Sequence, residues 1–98
     1  MADWFEAVPP EEIRRERAKA REIRRSPWWK QRCSRGVCHY CGESFAPAEL
    51  TMDHLVPLAR GGRSNKGNLV PACKQCNTRK KSDLAFEEEL KAALKRDT

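Results

Sequence analysis

The chain has 98 residues, 35% of them charged and 39% hydrophobic, and twenty Lys and Arg against fourteen Asp and Glu give a formal charge of +6. One small domain of this composition has a marginal core, so a staple is expected: disulfides, a structural metal or oligomerisation. No stretch approaches the roughly 20 apolar residues of a membrane span, and the charge balance favours a polyanionic partner, nucleic acid being the commonest.

Residues 1–10 read as an irregular lead-in ending at Pro9-Pro10. Met1-Ala2-Asp3-Trp4-Phe5 has no basic start followed by an apolar run, so no secretory signal is expected. A reducing, cytoplasmic setting follows, in which cysteines serve as metal ligands rather than disulfides. Glu11 to Arg25 forms a helix, with Glu11 and Glu12 in its first turn and Arg24 and Arg25 in its last, the order that complements the helix dipole. Its apolar stripe is thin: Ile13, Ala20 and Ile23. Ser26-Pro27 stops it and starts another helix, with Ser26 as N-cap and Pro27 at the first helical position. Trp28 and Trp29 follow, and at least one of them is expected to pack on the first helix or the cysteine module.

Between Glu11 and Arg35 ten bases meet four acids. The basic excess is therefore localised in an N-terminal arm, residues 1–35, and the remaining unit is 36–98. Residues 37–77 hold short elements, with a loop marked by Gly61-Gly62 and Ser64-Asn65-Lys66-Gly67. Asp83 to Arg96 reads as an amphipathic helix, its Phe86, Leu90, Ala93 and Leu94 recurring at i, i+4, i+7 and i+8.

Cys38-His39-Tyr40-Cys41-Gly42 and Cys73-Lys74-Gln75-Cys76 are two C-x2-C pairs. Each spacing lets one tight turn aim two thiolates at a single tetrahedral ion, and together they supply a closed four-sulfur site suited to structural Zn2+. A redox pair is the competing interpretation. The 31 residues between Cys41 and Cys73 exceed a zinc-ribbon gap and imply a functional unit inserted between the knuckles. Cys33 is left over as a free thiol or small buried apolar residue. His39 is expected to face solvent or phosphate.

That insert carries Asp53-His54-Leu55-Val56-Pro57-Leu58, then Gly67-Asn68-Leu69-Val70-Pro71, and after the second knuckle Cys76-Asn77-Thr78-Arg79-Lys80. His54, thirteen residues, Asn68, eight residues and Asn77 resemble the HNH, or ββα-metal, nuclease motif in its H-N-N form. The Gly-Gly loop and the Cys-x-x-Cys-Asn-x-x-Lys run are similar too. The resemblance covers residues 36–83 and implies an α+β fold: a ββα-metal core with a four-cysteine zinc knuckle pair, a basic N-terminal helix and an amphipathic C-terminal helix.

It also implies roles. His54 is the general base that deprotonates water, Asn68 orients it through backbone groups, and Asp53 with Asn77 binds one catalytic divalent ion. Asn77 stands where the eponymous final histidine would be. An amide oxygen is a harder ligand than imidazole, which tilts preference toward Mg2+ or Mn2+. The chemistry agrees: imidazole suits general-base work at neutral pH, and one oxygen-ligated cation can polarise a phosphoryl group. Lys80 lies one helical turn after Asn77, and with Arg79 it is expected to meet the phosphate.

Arg14, Arg17 and Lys30 of the arm are expected to track DNA phosphates without reading sequence. Adjacent strand residues point to opposite faces, so Asp53 and His54 can serve one site only if the backbone there is bent or at a strand end. The expectation is therefore a DNA endonuclease, monomeric or homodimeric. A non-catalytic nucleic-acid-binding zinc module would explain the cysteines and charge equally well, but would leave Asp53, His54, Asn68 and Asn77 as coincidences. A thiol-redox protein would predict labile disulfides.

Overall fold

The computed structural model describes residues 8–96; residues 1–7 of the lead-in, with Trp4 and Phe5, and the two C-terminal residues lie outside them. Two helices come first, α1 (Pro10–Arg24) and α2 (Pro27–Ser34), then strand β1 (Leu50–His54), strand β2 (Leu69–Cys73) and the long helix α3 (Lys74–Arg96). Short 3-10 turns at Pro47–Glu49 and Leu58–Arg60 lead into and out of β1. The architecture is α+β, with an antiparallel hairpin followed directly by a helix.

The arm follows its local signals. Glu11 and Glu12 occupy the first turn of α1, and Arg21 and Arg24 the last. Ser26 caps α2 by accepting from the Trp29 N–H at 3.3 Å, ahead of Pro27. Trp29 and Cys33 then enter the core beside Cys38, Leu50, Leu69, Ala72 and Cys73, with Ile23, Trp28, Phe45 and Met52 packed around them. Core side chains thus come from both sides of position 35.

The hairpin register pairs Leu50 with Cys73, Met52 with Pro71 and His54 with Leu69. All five residues of β2 are buried, because α2 covers one face of the pair and α3 the other. Pro71 has no N–H to give, but its carbonyl accepts from His39 at 2.9 Å and ties the first cysteine knuckle to the sheet. On β1, Leu50 and Met52 point into the core, while Thr51 and Asp53, on the other face, meet α3. This alternation positions the site.

The last helix is longer than its apolar pattern indicates. It starts at Lys74 rather than Asp83, so the second knuckle and Asn77 lie in its first turn. Its capping atom is a sulfur: Cys73, immediately before the helix, accepts from the Cys76 N–H at 3.5 Å. Serine, threonine, aspartate and asparagine are the usual caps at that position. At about 1.5 Å per residue α3 is roughly 34 Å long, and its distal half leaves the domain behind. Phe86, Leu90 and Leu94 are exposed, and Arg60 reaches Glu87 at 2.8 Å and Glu88 at 3.3 Å. None of the helices among the described residues is long and apolar enough to cross a membrane.

Candidate functional site

Two clusters flank the hairpin. In the first, the sulfurs of Cys38, Cys41, Cys73 and Cys76 lie within 4.8 Å of one another. The first knuckle closes through the Gly42 N–H on the Cys38 carbonyl at 3.0 Å, with Gly42 at φ +72°, a left-handed conformation that costs a residue with a Cβ. The second knuckle is the opening turn of α3, whose N-terminal dipole favours thiolate.

Cys38 and Cys73 are buried and Cys41 is exposed. Burial opposes ionisation of Cys38, but the N–H groups of Cys41, Cys73 and Tyr40 outweigh it and bring the thiol well below its usual range. Cys76 is pushed the other way, chiefly by sharing a proton with the Cys73 sulfur. Four sulfurs this close cannot all ionise without a cation among them. The cluster fits a soft divalent metal in a closed four-ligand site.

The second cluster lies where β1 meets α3. The Thr51 hydroxyl donates to the Ala72 carbonyl at 2.9 Å, so its oxygen accepts from the Asn77 side-chain N–H at 2.9 Å. That pair of bonds fixes which way the amide faces. The Asn77 Oδ1 is buried and has no hydrogen-bond partner among the described residues, an unusual state for a buried acceptor.

One helical turn on, the Lys80 ammonium donates to Asp53 Oδ2 at 2.7 Å, to the Leu55 carbonyl at 3.3 Å, and also to the carbonyl of His54. The Tyr40 hydroxyl donates to the same Asp53 oxygen. Burial and that carboxylate raise the Tyr40 pKa and keep the phenol neutral. Asp53, Asn77 and Lys80 therefore share one face, and the donor set of a carboxylate and an amide oxygen suits a hard divalent ion.

His54 is the last residue of β1. Its ring leaves the strand away from Asp53's partners and lies 2.8 Å from Ser64 Oγ by Nε2. The two neighbours thus diverge, one toward α3 and the other toward α1. Burial lowers the imidazole pKa; Asp53 and Glu16 raise it, Lys80 and Arg24 lower it further, and the net direction is downward. The ring is neutral near pH 7.

Asn68 is 9% exposed, and its side-chain hydrogen bonds run to backbone groups. Its Oδ1 accepts from the Val56 N–H at 2.8 Å, and its Nδ2 donates to the Val56 carbonyl at 3.1 Å and the Arg63 carbonyl at 2.7 Å. One amide side chain therefore staples the loop that follows His54. Gly62 belongs to the same closure, because a Cβ there would lie 1.8 Å from the Val56 carbonyl oxygen.

Other contacts were not anticipated from the motifs. Glu16, 3% exposed on α1, accepts from the Ser64 N–H at 2.6 Å, and Ser64 Oγ donates to the Glu16 main-chain carbonyl at 2.6 Å. Lys19 and Arg63 flank the carboxylate at 3.2 and 3.5 Å. The signal was present: Glu16 fills the gap in the stripe Ile13, Ala20, Ile23, so the helix buries an acid on its apolar side. Tyr40 and Thr51 carried no comparable mark.

Of the arm's candidate phosphate contacts, Arg14 and Arg17 are exposed on α1, as are Lys30 on α2 and Arg79 on α3. Lys30 and Arg24 line an open groove of about 560 Å³ that reaches Thr51 and Met52. Arg32 and Lys66 lie 5.5 and 5.7 Å from the Trp28 ring centroid. His39 is exposed, its ring edge-on to Tyr40 at 5.1 Å.

Comparison with known proteins places this geometry. The HNH endonuclease family profile matches residues 38–83. Over 51 residues the chain is 44% identical to the CRISPR-associated endonuclease Cas9 of Actinomyces naeslundii, covering 51% of this chain and 4% of that protein. Over 52 residues it is 40% identical to the CRISPR-associated endonuclease Cas9 of Corynebacterium diphtheriae, covering 52% of this chain and again 4% of the relative. The chain thus corresponds to a small part of the curated relatives it matches.

Proposed function

We propose, from the premise that residues 38–83 belong to the HNH endonuclease family, that this chain is a metal-dependent endonuclease that hydrolyses DNA phosphodiester bonds. The observation that carries the reading is the Asn77 amide oxygen, buried and unpartnered among the described residues on the face it shares with Asp53. A buried acceptor left without a donor costs stability, and a cation relieves that cost. Asp53 and Asn77 would hold Mg2+ or Mn2+, which supplies polarisation of the phosphoryl group and stabilisation of the leaving 3′-oxygen.

The remaining work falls to the chain's own groups. His54, neutral because burial lowers its pKa, takes the proton of the attacking water. Asn68 holds the loop behind it, so the ring stays at a fixed height above the sheet. Lys80, one turn from Asn77, donates to Asp53 and to the His54 and Leu55 carbonyls, so it balances carboxylate charge and adds positive potential beside the phosphate. Asp53 and His54 diverge at the strand end, so they approach the substrate from two sides rather than touching each other. Products carry a 5′-phosphate and a 3′-hydroxyl.

The four cysteines hold structural Zn2+, in a reducing compartment such as the cytoplasm. The arm, with Arg14, Arg17 and Lys30, contacts DNA phosphates, as Arg79 does from α3. One domain has one such site, so cutting both strands takes two copies or two successive events.

Supercoiled plasmid incubated with the protein and Mg2+ or Mn2+ tests this. His54→Ala is expected to reduce nicking at least a hundredfold, the scale of general-base loss, with unchanged zinc content and circular dichroism. Plasmid binding by the wild type without nicking under any divalent ion would leave only a zinc-dependent nucleic-acid-binding module.

A further inference from the structure

The contact between α1 and the loop before β2 does more than dock a helix. Ser64 is 6% exposed and Glu16 3%, and Glu16 grips Ser64 at two points. Its carboxylate takes the Ser64 N–H and its main-chain carbonyl takes the Ser64 hydroxyl, both at 2.6 Å. A serine hydroxyl has one proton. With that proton committed to a carbonyl, which can only accept, Ser64 Oγ presents lone pairs to His54 Nε2 at 2.8 Å. Nε2 must then be the nitrogen that carries hydrogen. A neutral imidazole has one N–H, so Nδ1 is left bare.

We propose that Glu16, acting through Ser64, is a positioning residue that fixes His54 as its Nε2–H tautomer and makes Nδ1 the basic nitrogen. The catalytic consequence rests on the general-base reading of His54; the tautomer does not. The charged groups around the ring are Asp53 and Lys80 on the β1 and α3 side and Glu16 and Arg24 on α1. None of them is hydrogen-bonded to the ring, and among the described residues Ser64 is the hydrogen-bond partner that selects between its nitrogens. Residues 48 positions apart in the chain thereby join in one device, and the basic arm becomes part of the nuclease site.

A docking contact alone would affect stability and leave the ring indifferent. Proton–nitrogen correlation spectra of the full zinc-loaded chain, without added Mg2+ or Mn2+, separate the two, with exposed His39 as internal control. Above the pH at which the ring titrates, wild-type His54 should show a slowly exchanging Nε2–H and an unprotonated Nδ1, and His39 should show no slow ring proton. Ser64→Ala should lose that proton and lower kcat of Mn2+-supported plasmid nicking about ten- to a hundredfold, the usual cost of removing a functional histidine's outer partner, with KM for DNA within about twofold. Ser64→Thr, which keeps the hydroxyl, should restore both, and Glu16→Ala should move both in the direction of Ser64→Ala.

An Nδ1–H ring in the wild type, or a Ser64→Ala protein with wild-type kcat, overturns the proposal. Should Ser64→Ala fail to fold, the wild-type spectrum still decides the tautomer; Glu16→Ala keeps the main-chain carbonyl and frees only the Ser64 N–H, so kcat and the ring proton both unaltered would overturn the positioning role of the Glu16 carboxylate. If the wild type nicks nothing with any divalent ion, the general-base reading falls by itself, because the spectrum is read without catalytic metal or substrate.

Discussion

Cys76 and Asn77 are consecutive in the first turn of α3, yet they serve opposite kinds of centre. The sulfur of Cys76 joins three others in a cluster that is closed on the protein side, with every sulfur within 4.8 Å of the rest. The amide of Asn77 turns to Thr51 on β1 and leaves its oxygen without a partner among the described residues. Roughly 100° of helical rotation separates the two side chains. One centre is a closed set of four soft sulfurs; the other, on the function proposed above, would be completed by Asp53 and a hard cation. The difference teaches that a single helix start can gather soft ligands on one side and hold a hard acceptor on another, provided the two side chains leave it in different directions.

The largest test of that contrast is metal removal. Stripping zinc with a chelator, or Cys73→Ser, should abolish the helical and tertiary circular dichroism together. Structural zinc in domains of this size contributes on the order of 10–16 kcal/mol, more than a marginal core supplies. A native spectrum in metal-free protein would erase the distinction between a stabilising and a reacting centre.

Asn77→Ala is the intermediate case. It should cost about a hundred- to a thousandfold in nicking rate, comparable with loss of one preorganised catalytic group, while the melting temperature moves only a few degrees. Collapse of the fold instead would make the amide a structural ligand like its neighbour.

The smallest effect belongs to Glu16. The Ser64 N–H is the main reason its carboxyl lies below the ordinary value of 4.5; burial opposes the shift, and Lys19 and Arg63 add to it. A carboxyl lowered by folding stabilises fully above its unfolded pKa, and that contribution is lost as pH falls through the folded value. Wild-type stability should therefore decline from about pH 4.5 downward. In Glu16→Gln this component of the decline should be missing, and Glu16→Ala should cost about 1–3 kcal/mol at neutral pH for the Ser64 N–H left unsatisfied. Thermal melts at several pH values check both; parallel curves for wild type and Glu16→Gln would remove Glu16 from the pH response.

Much of this was legible before any coordinates. The paired C-x2-C spacing announced the sulfur cluster, because only two tight turns can bring four thiolates together from a chain this short. Ser26-Pro27 announced the break between α1 and α2. The start of α3 was not legible, since its cap is the Cys73 sulfur and its first turn reads as a metal knuckle. Nor could the pattern of Phe86, Leu90 and Leu94 tell that these side chains stay exposed among the described residues. Helical periodicity defines a face, and only the placement of other elements decides whether that face is buried.

The sequence by itself determined the ligand types and the order in which they appear: four sulfurs, one imidazole, a carboxylate and two amides at fixed separations. Identity and spacing are covalent facts, and they suffice to name a chemistry. The tertiary structure decided direction. That Asp53 turns to Lys80 and His54 to Ser64, that Asn68 staples a loop through backbone groups, and that the main-chain carbonyl of Glu16 on the first helix reaches the imidazole through one hydroxyl all depend on which faces meet. Hydrogen bonds are short and angular, so such matters are settled only when distant segments pack.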